Sequence, residues 1–346
     1  MYLKNCWYVA AWDREVGEAP FARTLCGVPV VLYRGKSGTV AALEDRCCHR
    51  NLPLSMGTIE GEDLRCGYHG LRYDASGQCV EVPGQRQIPP GARVKSFPVI
   101  KRWKMLWIWM GDPAKVDESL LPHWEVFDDP RNVNALGNDE KPLHMRCNWQ
   151  LNNDNLLDLS HVFYVHKNTL GGGGADLPIR TERSQRGVRM SRWIGGTVPT
   201  PLFAQYLGMK GGTVDRWQVS DLETPTHCLV DAGFAPTDAG LAPDDLDGRS
   251  RYPRLRAFIT ATPETPSTSF MFYLQARNFA KENVDFNNRV VADFRRVFHE
   301  DIAVMEAQQR VNDAMPDAPT VDVNVDAPPL AMRRLLNDLL AAEAGA

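Results

Sequence analysis

Two pairs of residues with metal-binding side chains stand 16 residues apart in the first third of the chain. Cys47 and His49 are separated by one residue, and Cys66 and His69 are separated by two. A [2Fe–2S] cluster uses this ligand set when two thiolates hold one iron and two imidazoles hold the other. Because neutral imidazole brings less negative charge than thiolate, such a cluster accepts an electron at about −150 to +300 mV. The spacing therefore predicts an electron-transfer centre.

Two other uses of these side chains are less consistent with their order. Structural zinc sites also combine two cysteines with two histidines, but they usually place both cysteines in one pair and both histidines in the other. A disulfide is disfavoured because the N-terminus does not resemble a signal peptide, and thiols stay reduced in a cytosol. Cys48 lies between two of the proposed ligands and stays unassigned. We therefore predict a Rieske cluster.

A second group of polar side chains occurs further along, in residues 152–166. Asn155, Asp158 and His161 follow one another at intervals of three, which would align them along one stripe of a helix. His166 comes five residues after His161, and a regular helix would rotate it away from that stripe. If both histidines bind one metal, the predicted helix must end or bulge near Tyr164.

A carboxylate interrupts the apolar face of a helix predicted from Asn287 to about Val311. Asp301 lies in that face, where an unpaired charge is strongly unfavourable and a bound metal would compensate it. Its neighbour Glu300 follows Arg296 by four residues, so we expect it to form a surface salt bridge. The apolar face itself consists of Val290, Phe294, Val297, Phe298, Ile302 and Met305.

His161, His166 and Asp301 together form a set of two histidines and one carboxylate. Such a set binds non-haem Fe(II) and leaves coordination positions open for dioxygen and substrate. A mononuclear iron of this kind needs a source of electrons, which the predicted cluster would supply. The predicted cluster and the predicted mononuclear iron site therefore support each other's assignment.

Short β-strands must position the cluster ligands. Up to about residue 110, runs of β-forming residues alternate with glycine-rich turns, which predicts an antiparallel domain with both ligand pairs at loop tips. The acidic, proline-containing stretch Asp112–Pro142 is predicted to be a linker. The middle of the chain, Ile179–Leu274, mixes strand-like runs with loops, and a final helix is predicted at Leu330–Leu340.

Charge and hydropathy argue against several classes of partner. The net charge of −4 and the pI near 6.1 do not suggest a nucleic acid or an anionic membrane as partner. The longest apolar runs are shorter than the ~18 residues that a membrane span needs. The 346 residues suffice for two domains, and we expect a cytoplasmic protein.

The chain resembles the oxygenase components of Rieske non-haem iron oxygenases over nearly its whole length. Its opening NCWYVAAWD and the later CVEVPGQ most resemble the vanillate and dicamba O-demethylases and toluenesulfonate methyl-monooxygenase. The motifs that carry the resemblance are Cys47-x-His49 with Cys66-x-x-His69, Asn155-x-x-Asp158-x-x-His161-x4-His166, and Asp301.

This resemblance implies an α+β architecture in two parts. Residues 1–118 would form the N-terminal all-β Rieske [2Fe–2S] domain, and residues 119–346 a helix-grip catalytic domain, an antiparallel sheet around a long helix, with the mononuclear iron. It also implies a homotrimer. Asp158 would carry the electron by bridging His161 to the cluster ligand His69 of a neighbouring subunit, and Asn155 would belong to the same catalytic motif.

The resemblance also implies the reaction. Electrons from NAD(P)H would arrive one at a time through a separate reductase, with or without a ferredoxin, because the chain has no nucleotide-binding strand–glycine loop–helix unit. One atom of O2 would enter a C–H bond of a small aromatic, acidic substrate, by hydroxylation or O-demethylation. A dioxygenase that forms cis-diols and a Rieske electron carrier without oxygenase activity remain alternatives.

The substrate pocket can be predicted only as a set of candidates. Four arginines, Arg216, Arg251, Arg254 and Arg256, could pair with a substrate carboxylate or sulfonate, since the guanidinium fork matches such anions. Aromatic walls could come from Trp193, Phe203, Trp217, Phe234, Phe258 and Phe272.

Overall fold

The computed structural model describes residues 1–135, 141–171, 177–242, 244–245 and 247–345. These residues form two compact units. The first comprises Met1–Leu121 with Thr262–Pro266, and the second comprises Pro122–Ala261 with Ser267–Ala346. Most of the glycine run 171–174 lies outside the described residues.

The first unit is built from short antiparallel strands, as predicted. Three sheets have the strand orders β1-β11-β10, β2-β3-β4-β9 and β5-β6-β7-β8. The strands are β1 Trp7–Trp12, β2 Phe21–Leu25, β3 Val28–Arg34, β4 Val40–Glu44, β5 Thr58–Glu60, β6 Asp63–Arg65, β7 Arg72–Tyr73, β8 Cys79–Glu81, β9 Ser96–Phe97, β10 Val99–Arg102 and β11 Met105–Trp109.

Large aromatic side chains fill the interior of this unit. Strands β1 and β11 are buried on both faces, so their sequences lack the alternation of a half-exposed strand. Trp7 and Trp109 meet edge to face with ring centroids 5.4 Å apart. Two buried side chains of this size each remove a large apolar area from water and so stabilise the packing of β1 on β11.

The second unit contains a long antiparallel sheet of order β12-β19-β18-β17-β16-β15-β14, with β13 also paired to β19. Its strands are β12 Val133–Ala135, β13 Leu143–Met145, β14 Arg180–Arg183, β15 Gly187–Thr197, β16 Val214–Glu223, β17 His227–Pro236, β18 Arg254–Thr265 and β19 Thr268–Arg277. The segment Ile179–Leu274, whose sequence mixes strand-like runs with loops, therefore supplies most of this sheet.

In the described part of the chain, four α-helices accompany the sheet: α1 Trp149–Leu156, α2 Pro201–Leu207, α3 Val284–Ala314 and α4 Ala327–Ala344. The 31-residue α3 begins where the Asn283 side chain accepts a hydrogen bond from the Phe286 amide. The predicted apolar face of α3 is buried, and Phe298 packs on Tyr273 of β19 with ring centroids 4.5 Å apart. The α+β prediction is confirmed. None of the described helices is long and apolar enough to cross a membrane.

Two predictions about elements are wrong. The stretch Asp112–Pro142 is more than a linker, because Trp124 and Phe127 are buried and β12 forms the edge of the second sheet. The helix expected to carry Asn155, Asp158 and His161 together ends at Leu156. The Asp158 carboxylate accepts hydrogen bonds from the Ser160 amide and hydroxyl, so a local turn replaces the helical pattern there.

Candidate functional site

The two loops that carry the predicted cluster ligands have the same backbone hydrogen bonds. In the first loop the Cys47 amide donates to the Leu52 carbonyl, and the Asn51 amide donates to the Cys47 carbonyl. In the second loop Cys66 donates to Leu71, and Gly70 donates to Cys66. The fourth residue after each cysteine has a positive φ, 56° at Asn51 and 73° at Gly70. Two copies of one turn therefore present the ligands.

Cysteines and histidines differ in exposure at this site. Cys47 and Cys66 are 2% exposed, whereas His49 and His69 are exposed and their ring centroids lie 4.6 Å apart. Burial, with a contribution from the nearby Cys47 thiol, raises the pKa of the Cys66 thiol against a hydrogen bond from the Tyr68 backbone. Buried sulfurs beneath surface imidazoles fit a cluster that receives and passes on electrons.

Tyr73 adds a hydrogen bond that the sequence did not reveal. Its hydroxyl lies 3.1 Å from the sulfur of Cys47 and 3.1 Å from that of Cys48. The unassigned Cys48 thus shares a partner with a predicted ligand. Hydrogen bonds to ligand sulfur are among the factors that set the reduction potential of an iron–sulfur centre.

In the second unit His161, His166 and Asp301 come together as predicted. Their ligand atoms all lie within 4.8 Å of one another. The Nε2 atoms of His161 and His166 lie 3.4 Å and 2.9 Å from Asp301 Oδ1. Separations near 3 Å are those of adjacent ligands around one ion bound at about 2.1 Å. The donor set therefore fits a single metal ion.

The site is assembled from two parts of the chain. His161 begins the 3-10 turn His161–Phe163 that follows α1, and Asp301 projects from the middle of α3. Burial raises the pKa of Asp301, but hydrogen bonds from His161 and His166 outweigh it, so that pKa is lowered overall. Asp301 is 6% exposed, and its ion-pair partners among the described residues are these two histidines. A buried carboxylate held in its charged form is a suitable metal ligand.

Glu300 is not the surface residue that the sequence predicted. Its carboxylate lies 2.7 Å from His166 Nδ1 and accepts a hydrogen bond from the Thr169 hydroxyl at 3.0 Å. Arg296 pairs with Asp293 instead. A histidine that binds metal through Nε2 usually donates its other ring N–H to a carboxylate, and this rule could have identified Glu300.

Asn155 and Asp158 lie beside the three predicted ligands. The Asn155 side-chain amide donates to Asp301 Oδ1 at 3.2 Å. Asp158 Oδ2 lies 3.8 Å from His161 Nδ1, a buried nitrogen that has no hydrogen-bond partner among the described residues. This separation is too long for a hydrogen bond. Asp158 is nevertheless the carboxylate placed to orient His161, and its side chain is 29% exposed.

A cavity adjoins these residues. About 120 Å³ of it is open to the centres of water molecules, far more than the ~10–15 Å³ that one water needs. Its walls come from the sheet, from α3 and from the segment around α1. Side chains with aliphatic or aromatic surfaces dominate the walls, among them Leu156, Leu159, Phe203, Trp217, Val230, Ala232, Phe234, Ala257, Ile259, Phe294, Val297 and Phe298.

Three of the six predicted aromatic residues line this cavity: Phe203, Trp217 and Phe234. Trp193 stacks beside Trp217 outside the lining, with ring centroids 6.4 Å apart. Phe258 packs against Trp124, and Phe272 is fully buried away from the cavity.

Of the four candidate arginines, Arg216 lines the cavity. It is 4% exposed, and one of its terminal nitrogens is buried without a hydrogen-bond partner in the part of the chain that the structure describes. Burial, followed by the positive charge of Arg192, lowers the pKa of Arg216 to about 10, so it stays charged at neutral pH. The other three lie elsewhere: Arg251 on the surface, Arg254 in an ion pair with Asp231, and Arg256 hydrogen-bonded to Asn132.

Residues 6–98 match the family described as Rieske [2Fe-2S] domain, and residues 145–342 match the vanillate O-demethylase oxygenase C-terminal domain. The iron-sulfur subunit of the toluene-4-sulfonate monooxygenase system of Comamonas testosteroni is 40% identical, over 100% of this chain and 99% of that protein. The vanillate O-demethylase oxygenase subunit of a Pseudomonas species is 33% identical, over 99% and 96%.

Among solved structures, dicamba monooxygenase bound to 3,6-dichlorosalicylic acid superposes with a TM-score of 0.89 and 30% identity. The match covers 100% of this chain and 99% of that one. Another structure of dicamba monooxygenase contains non-haem iron and dicamba, with a TM-score of 0.82, 30% identity and 99% coverage of both chains.

Proposed function

Because the chain belongs to the Rieske non-haem iron oxygenases with a catalytic domain of the vanillate O-demethylase type, we propose that it oxygenates a small aromatic acid bound in the cavity beside Arg216. It is the oxygenase component of a multicomponent monooxygenase and uses a [2Fe–2S] cluster and a mononuclear iron. The names of its relatives favour monooxygenation and demethylation over cis-diol formation. The catalytic domain also argues against a simple electron carrier.

The observation that carries the proposal is a buried cation in an apolar cavity. Arg216 lies among hydrocarbon walls, so an anion in the cavity would gain charge pairing with its guanidinium group. Two of the relatives are named for anions, toluene-4-sulfonate and vanillate. A carboxylate or sulfonate on a single aromatic ring would match this charge and the apolar walls.

We propose the same metal ligands that the sequence predicted. His161, His166 and Asp301 would bind the iron, with Glu300 and Asn155 holding His166 and Asp301 in place. Cys47, Cys66, His49 and His69 would bind the cluster. The iron, supplied with electrons by the cluster, would activate dioxygen for insertion of one oxygen atom into a C–H bond. The apolar walls would exclude water from the bound substrate.

We also propose a homotrimer in which Asp158 carries the electron between subunits. Its partly exposed carboxylate lies beside His161, and His69 is exposed on the cluster loop. Both ends of such a bridge are therefore available to a neighbouring copy. The reductase, with or without a ferredoxin, would deliver electrons derived from NAD(P)H.

Oxygen uptake with a reconstituted reductase tests the substrate class. We expect substrate-dependent uptake with methoxybenzoates or toluenesulfonate, and little with neutral aromatics of the same shape. Replacing Arg216 by Met should raise the KM for the acids at least tenfold, because an ion pair within the cavity is lost. The surface variant Arg251→Met serves as the matched control. Activity confined to neutral compounds would refute the proposal.

A further inference from the structure

Cys48 stands between two predicted cluster ligands, and its side chain faces the interior of the first unit. The next residue, His49, is exposed, whereas Cys48 is partly buried and packs against the apolar core that contains Cys47, Leu64 and Tyr73. The ligand spacing requires no particular side chain at this position. The inward thiol therefore needs an explanation of its own.

The Tyr73 hydroxyl contacts both the predicted ligand Cys47 and its neighbour Cys48. The hydroxyl oxygen lies 3.1 Å from each of the two sulfurs, and the Cys48 amide donates a hydrogen bond to it at 3.3 Å. Tyr73 is fully buried, so bulk water does not compete for these contacts. A phenol has one proton, so it can donate to one of the two sulfurs and must accept from the other.

The chemistry of the two sulfurs decides the direction of these hydrogen bonds. A cysteine that holds a cluster iron is a thiolate, which accepts hydrogen bonds and has no proton to donate. Cys48 holds no iron in the proposed ligand set, so its thiol has an S–H group to donate. The bonds therefore run from the Cys48 thiol to the Tyr73 oxygen, and from the Tyr73 O–H to the Cys47 sulfur.

The two bonds form a chain that leads from Cys48 to a cluster ligand. Linked hydrogen bonds in a buried site strengthen one another, because each donor polarises the next. A donor on the Tyr73 oxygen thus makes the Tyr73 O–H a stronger donor to Cys47. A hydrogen bond to a ligand sulfur stabilises the reduced cluster, which carries one more negative charge, and so raises the reduction potential.

We infer that Cys48 is a positioning residue that raises the reduction potential of the cluster by acting through the Tyr73 hydroxyl. It orients and polarises that hydroxyl toward Cys47 and holds no iron itself. A higher potential favours uptake of an electron from the reductase. This inference rests on the cluster ligands of the proposed function, and it is independent of the substrate.

Redox titration of the holoprotein with dithionite, followed by the visible absorbance of the cluster, tests this role without turnover. Cys48→Ala should lower the equilibrium constant for one-electron reduction about threefold, a decrease of roughly 30 mV in the reduction potential. Cys48→Ser, whose hydroxyl can donate the same hydrogen bond, should keep or exceed the wild-type potential. Cys79→Ala is the matched control and should leave the potential unchanged, because the Cys79 thiol belongs to the same core but donates to the Glu81 carbonyl.

A Tyr73→Phe background shows whether Cys48 acts through the tyrosine. Tyr73→Phe should lower the potential by more than Cys48→Ala does, and adding Cys48→Ala to it should lower the potential no further. The role of Cys48 would be overturned by a wild-type or raised potential in Cys48→Ala, by a potential in Cys48→Ser as low as in Cys48→Ala, or by an equal decrease with and without the tyrosine hydroxyl. If Cys47→Ala keeps the cluster, the proposed ligand set itself is wrong and this inference falls with it.

Discussion

At the scale of single residues, the two ring nitrogens of the predicted ligand His166 contact two different carboxylates. Nε2 contacts Asp301, and Nδ1 contacts Glu300. Burial lowers the pKa of His166, but hydrogen bonds and charge from Asp301 and Glu300 raise it overall. The Glu300 carboxylate at Nδ1 would fix the ring so that Nε2 faces a metal ion beside Asp301.

Replacing Glu300 by Gln should weaken iron binding by about 10–100-fold, the usual effect of losing such a partner. The amide cannot supply the negative charge that increases the basicity of the imidazole. Iron content after dialysis against a graded chelator measures the change, and Asp285→Asn, in the first turn of the same helix, is the control. Iron retention equal to that of the wild type would remove Glu300 from the site.

Asp158 makes a second prediction at this scale. Asp158→Asn should leave both metals bound and reduce turnover to a few per cent or less, because the amide carries no charge to assist electron transfer. The variant keeps an oxygen that can accept the hydrogen bonds from Ser160, so the local turn is preserved. Metal analysis and NADH consumption measure the two effects, with Ser160→Ala as a control for the turn. Full activity of Asp158→Asn would exclude the bridging role.

At the scale of elements, the two cluster loops depend on a residue in the left-handed region. Gly70 has φ 73°, and a Cβ built there would lie 2.9 Å from Pro83 Cγ. The equivalent position in the first loop is Asn51, a residue type that tolerates such a conformation.

Gly70→Ala should therefore destabilise the cluster loop by about 1–2 kcal/mol from the backbone conformation alone. Asn51→Gly should be close to neutral, since glycine adopts the same φ freely. Thermal unfolding and the visible absorbance of the cluster report the difference. An equal melting temperature and cluster content in the two variants would contradict this account of the loops.

Local patterns predicted some of these elements and not others. The strands of the first unit are short runs of β-forming residues between clear turn signals, and the long helix α3 has strong apolar periodicity, so the sequence alone predicted these elements. The end of α1 at Leu156 was missed because hydrogen bonds from the Ser160 amide and hydroxyl to the Asp158 carboxylate replaced the helical pattern. The middle strands were unclear because β17 and β18 contain runs of consecutive buried residues and so lack a regular alternation of polar residues.

The residues of the candidate site were likewise predicted only in part. Ligands with characteristic spacing could be predicted from sequence, whereas the contacts of Glu300 and Tyr73 became visible only through their three-dimensional neighbours. Arg216 was one of four candidates, and only burial and the position of the cavity distinguished it.

At the scale of the whole molecule, each unit contains one of the two predicted metal sites. The cluster residues belong to the first unit, and the cavity with His161, His166 and Asp301 belongs to the second. An oxygenase needs electron supply and substrate chemistry together, so this division agrees with the family to which the chain belongs. The boundary after residue 118 stays a prediction.

The fate of oxygen from labelled O2 tests the central claim most directly. The purified protein, with iron, cluster and a reductase, would be given NADH, ¹⁸O2 and toluene-4-sulfonate. We predict a hydroxymethyl product that contains one labelled oxygen atom, formed only when the reductase is present. A cis-diol with two labelled atoms, or a product without label, would contradict the account of this chain as a monooxygenase.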